Sequence, residues 1–128
     1  MGDGTSIGKV RGLGSAHEGA HHWLVQRFTA IGNLVLMSWL LITFLMLQDY
    51  SYGTMVKWLS QPISATAMIL LVISLFWHAR LGLEILIGDY VHNGGSKFAV
   101  LSALNLAVIG GGAFAVFSVV SLAFGGAA

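Results

Sequence analysis

Cysteine is absent from the chain, so disulfides, thiolate nucleophiles and cysteine-held zinc or iron–sulfur clusters are excluded from it. Charge is scarce too: Asp, Glu, Lys and Arg make up 9% of the 128 residues, against roughly 25% in soluble domains. With 56% hydrophobic residues, there is too little polar surface to wrap a core, and the bilayer must be the solvent. The net charge of +1, with no basic run, offers no field for nucleic acid. Proline occurs once, at Pro62.

What remains are three long apolar runs. Residues 1–20, with five glycines before Ser15, read as a loosely ordered arm. Span I is expected over about 23–47, its core from Phe28 to Leu47, with interior polar groups Thr29, Asn33, Ser38 and Thr43. It is too long for a signal peptide and is read as retained. Residues 48–61 form a loop with room for a short surface helix, where Tyr50, Tyr52 and Trp58 read as interfacial belt residues. Span II opens at Pro62, where a first-turn proline costs no hydrogen bond, and runs to about Gly88. Asn93-Gly94-Gly95 signals a turn, and span III covers about 98–124. The expected fold is all-α, one membrane domain over 1–128 with three transmembrane helices. Lys9, Arg11 and Lys97 fall on one side and Lys57 on the other, which places the N-terminus on the cytoplasmic (or matrix) side by the positive-inside rule.

Span III carries Ser102, Ala103, Ala107, Gly110, Gly111, Gly112, Ala113 and Ala115. Small residues at such spacing let helix backbones approach in lipid. Packing within the chain and contact with another subunit both fit.

The stretch from His78 to His92 organises the rest. The 11-residue step from His78 to Asp89 is about 1100° on a helix, near whole turns, and rises roughly 16 Å. A mid-span imidazole and a boundary carboxylate thus share one stripe. Imidazole in lipid needs a partner. Two readings fit: a structural histidine bonded to a neighbouring helix, or an axial ligand of a haem iron. Gly82, one turn on, leaves room for a flat ring. His17, His21, His22 and His92 all lie near the boundary, so a second axial ligand would have to come from another chain. Asp89 and Tyr90 read either as belt residues or as a proton relay and hydrogen-bond donor to a quinone headgroup. Arg27 either snorkels or meets the carboxylates of a haem, with His21 on the same side. Arg80 and Glu84, four apart and facing away from His78, should pair, with proton handling as the alternative. Gln26, His17, His22 and His92 take no assignment.

His78-x-x-x-Gly82 followed by Asp89-Tyr90-Val91-His92 resembles the second-helix signature of the small hydrophobic membrane-anchor subunits, cytochrome b-type, of succinate dehydrogenase (complex II). His21-x5-Arg27-x-Thr29-Ala30 is similar to that family's first helix. The resemblance covers essentially the whole chain. It implies a helix bundle shared with a second, companion anchor subunit, which would supply the other axial ligand of haem b opposite His78. It also implies a ubiquinone carbonyl bonded by Tyr90 with Asp89 in support, and His21 and Arg27 near the haem propionates. Flavoprotein and iron–sulfur subunits would dock on the cytoplasmic face, and this chain would have no activity of its own on succinate. Without an obvious Arg- and Ser-rich presequence, a bacterial inner membrane is expected ahead of a mitochondrial one. Arg80 and Gly88 depart from the usual pattern. Related anchors include haem-free and two-haem forms, and fumarate reductases use a similar architecture, so the alternatives are a haem-free structural anchor or the anchor of a related fumarate reductase.

Overall fold

The computed structural model describes the backbone from residue 14 to residue 125 and the side chains from residue 19. The chain is all-α, with helices α1 (Gly14–Met46), α2 (Tyr52–Leu59), α3 (Pro62–Tyr90) and α4 (Gly94–Ala123). In α1, α3 and α4, three stretches, Gly19–Met46, Pro62–Tyr90 and Gly94–Ala123, are long and apolar enough to cross a membrane. Their outward faces carry large exposed apolar side chains, among them Phe28, Leu45, Ile63 and Phe98. Such a surface has no solvent but lipid or another apolar protein face.

Helix α1 starts well before the expected Phe28 or Trp23, so the last residues of the supposed arm are helical. The sequence offers no proline to stop it, and a helix keeps its backbone groups paired as it approaches an apolar medium. At its other end, the Tyr50 hydroxyl donates to the carbonyl of Phe44 at 2.8 Å. The same carbonyl accepts the Leu47 amide at 3.2 Å, so the last turn of the helix is closed from two sides.

Helix α3 is the centre of the layer, packing against α1 on one side and α4 on the other. Against α4 the backbones come close. A Cβ on Gly111 would stand 2.9 Å from Cε1 of Phe76, and one on Gly112 would touch the same ring. Part of the small-residue stripe is therefore used within the chain, where glycine makes room for an aromatic ring. Gly110 faces open space.

The loop between α1 and α3 contains a true helix. The Ser51 side chain accepts from the amide of Thr54, capping α2. Asp49 in turn accepts from the Ser51 amide and hydroxyl at 2.9 and 2.6 Å. Tyr50 and Tyr52 are exposed, as belt residues would be, but Trp58 is 7% exposed. Its ring stacks on Trp39 at a centroid distance of 5.9 Å and meets Phe44 edge-on at 5.5 Å. Trp58 and Leu59 pack with Val119 and with partly buried residues of α1, α3 and α4. The amphipathic α2 thus turns its apolar face inward and closes one end of the helix layer.

At the other end, α3 and α4 are joined by Val91 to Asn93. The Asn93 side chain accepts from the amides of Gly95 and Ser96. The Asn-Gly-Gly expected to be a turn is instead a capped helix start. The start of α1, the end of α3 and the start of α4 share this end.

Candidate functional site

The midpoint of the α1–α3 contact is polar. Nδ1 of His78 lies 3.0 Å from Oγ1 of Thr29. The Thr29 hydroxyl also lies 2.9 Å from the carbonyl of Val25 and 3.0 Å from that of Gln26. The Ser74 hydroxyl, one turn before His78, donates at 3.4 Å to the Thr29 carbonyl. Composition and spacing give Thr29 no role. Its interior polarity is visible in the sequence, but its partner lies 49 positions away on another helix.

His78 is half-buried. It opens on a cleft of about 220 Å³ lined also by Trp23, Gln26, Arg27 and Ala30. Arg27 and His78, singled out separately in the sequence, thus border one space, with the cation on one side and the imidazole deeper along α3. The Arg27 guanidinium sits 5.3 Å from the Trp23 ring centroid, a cation–π contact that holds the charge at the cleft's mouth. Gly82 has nothing within 4 Å of where a Cβ would stand, so the helix surface below His78 is open to a flat ligand.

His21 goes elsewhere. It lines a separate cleft of about 480 Å³ with His22, Trp77, Arg80 and Glu84. Arg80 and Glu84 do pair, at 3.8 Å. Arg80 is held more firmly by α4, since its Nε donates to Oδ1 of Asn105 at 2.6 Å. Its guanidinium also lies 5.6 Å from the Trp77 ring centroid. Nothing in the sequence singles out Asn105. Asp89 and Tyr90 end α3 and are both exposed, Tyr90 at 78%. They stand roughly 16 to 18 Å along the helix from His78.

Among the described residues no three His, Asp or Glu side chains converge as a metal cage. His78 therefore belongs to no such cluster among the described residues. Its chemistry still suits iron in a macrocycle, where the protein supplies only axial ligands. One of its ring nitrogens is engaged by Thr29.

Comparison with known proteins bears on the family. The family described as succinate dehydrogenase/fumarate reductase transmembrane subunit matches residues 1–123. The succinate dehydrogenase hydrophobic membrane anchor subunit of Rickettsia bellii is 40% identical over 88 residues, 68% of this chain and 70% of that protein. The same subunit of Rickettsia conorii is 34% identical over the same shares. The succinate dehydrogenase membrane anchor subunit of Reclinomonas americana is 32% identical over 94 residues, 71% of this chain and 77% of its own length. With a match across nearly all of its length and relatives at this identity, the chain belongs to the succinate dehydrogenase/fumarate reductase transmembrane subunit family.

Proposed function

We propose that the chain is the membrane anchor of a bacterial succinate:quinone oxidoreductase, that it holds one side of a haem b shared with a second anchor subunit, and that it forms part of the quinone site. The observation that carries this is the single cleft bordered by His78 and Arg27. An imidazole with one nitrogen tied down presents its other nitrogen to iron. A guanidinium at the mouth of the same cleft pairs with carboxylates, in the bidentate geometry that arginine favours. When bound, haem supplies one-electron storage between an electron donor and a quinone.

The residues of this chain do the rest. His78 would hold the haem iron through a neutral imidazole nitrogen, and Arg27 would pair with the haem carboxylates. The open surface at Gly82 admits the ring edge. At the end of α3, the Tyr90 phenol donates a hydrogen bond to a quinone carbonyl, and the Asp89 carboxylate passes a proton from water to it. Both side chains are exposed on this chain, which leaves them to the quinone and to the subunits that dock there. The companion anchor would supply the other iron ligand, and flavoprotein and iron–sulfur subunits would sit over the end bearing Tyr90. That end faces the cytoplasm, the side favoured by Lys9, Arg11 and Lys97.

The test is to isolate the complex from membranes through a tag on this chain. Flavoprotein and iron–sulfur subunits should co-purify, and a b-type absorption band should appear on adding succinate. Co-purification of those subunits with no haem absorbance would favour the haem-free structural anchor.

A further inference from the structure

The Thr29 hydroxyl has one proton and three neighbours that could share it: the Val25 carbonyl at 2.9 Å, the Gln26 carbonyl at 3.0 Å and Nδ1 of His78 at 3.0 Å. A threonine hydroxyl within a helix donates back to a carbonyl of the preceding turn, and here both carbonyls lie on that side. Once the proton points there, the oxygen has only lone pairs to offer the imidazole. Nδ1 must then carry the ring hydrogen, and Nε2 is left as a bare lone pair. The reverse arrangement would strip two helix carbonyls of that proton in a medium without water, and would put a hydrogen on Nε2, where no metal can bind.

We propose that Thr29 is a positioning residue for haem ligation: it relays the Val25 carbonyl to Nδ1 of His78, fixing the tautomer and ring plane of the ligand and strengthening Nε2 as a donor. The inference rests on the haem reading above and assigns to α1 the task of tuning a ligand carried by α3. A hydrogen bond from Nδ1–H makes the opposite nitrogen more basic, which favours ferric over ferrous iron. Ser74 supports the relay by donating to the Thr29 carbonyl, which keeps the two helices in register.

The experiment uses the assembled complex with Thr29→Val, which keeps shape and loses the hydroxyl, alongside Thr29→Ser and Thr29→Ala. Thr29→Val should keep the flavin content, shift the haem midpoint potential upward and move the low-spin ferric EPR signal. It should also lower haem retention on dilution by about 10-fold, the scale of lost outer-shell partners. Thr29→Ser should restore all three. If Thr29→Val fails to assemble, Thr29→Ala carries the same expectations and the same rescue. A potential and EPR signal unchanged in Thr29→Val or Thr29→Ala would overturn the relay, as would a loss in Thr29→Ser equal to that in Thr29→Val. Haem retained in His78→Ala with unaltered ligation would instead sink the ligand reading itself, so the two failures are distinguishable.

Discussion

Arg80 on α3 donates from Nε to the Oδ1 of Asn105 on α4 at 2.6 Å, while its ion pair with Glu84 stretches to 3.8 Å. The shorter bond crosses between helices and the longer one stays within α3. A hydrogen bond to a charged group contributes about 1.5–3 kcal/mol, whereas a partly exposed i,i+4 pair contributes about 0.5 kcal/mol or less. Asn105→Ala should therefore lower the thermal stability of the detergent-solubilised complex clearly, and Glu84→Gln only marginally. Equal losses would mean that the ion pair, not the interhelical bond, holds Arg80.

Gly111 and Gly110 are adjacent yet should respond differently. A side chain at Gly111 meets the Phe76 ring at 2.9 Å, while Gly110 has open space. Gly111→Val should cost about 1–3 kcal/mol by overpacking and should be partly rescued by Phe76→Leu. Gly110→Ala should leave the chain's own folding intact, measured by the yield of monodisperse complex.

Trp58 fills the closed end of the layer. Trp58→Ala should cost about 3–5 kcal/mol, as for large-to-small changes in a packed core. Tyr52→Ala, at an exposed position nearby, should cost far less. Melting of the purified complex, followed by light scattering, separates the two.

The loop carrying Asp49 gives a pH signature. Hydrogen bonds from the side chains of Ser51 and Thr54 and from the Ser51 amide hold the Asp49 carboxyl down at about 2. Because the folded value lies below the ordinary one, the stabilisation is present above about pH 4 and fades as pH falls toward 2. Protection of the Ser51 and Thr54 amides, taken relative to the intrinsic exchange rate at each pH, should hold at neutral pH and fall only in that acid window. Asp49→Asn should remove the transition.

Tyr90→Phe should slow quinone reduction by about 2- to 10-fold, the scale of one lost hydrogen bond to the carbonyl. Succinate oxidation by a soluble artificial acceptor should be unaffected. Equal loss of both activities would place Tyr90 in assembly rather than at the quinone.

Composition and run length are enough to anticipate three spans, and Pro62 marks the start of α3 to the residue. The same signals misplace the start of α1, because a glycine-rich arm and a helix that merely approaches the membrane look alike in composition. Trp58 misleads for a related reason: an interfacial tryptophan and one folded under a short amphipathic helix have the same neighbours in sequence. For the site, the Arg80–Glu84 pair follows from helical periodicity alone. The Thr29–His78 and Arg80–Asn105 bonds do not, since each joins residues on different helices and depends on their relative rotation. His21 and Arg27, six residues apart, come to line different clefts for the same reason.

The most direct measurement is the pyridine haemochrome assay on the purified complex, wild-type and His78→Ala, normalised to bound flavin. One haem b per copy of this chain is expected in the wild type. In His78→Ala, haem should be lost, or its spectrum altered, with flavin undiminished. A His78→Ala complex that keeps the wild-type haem content and an unchanged spectrum would contradict haem ligation by this chain.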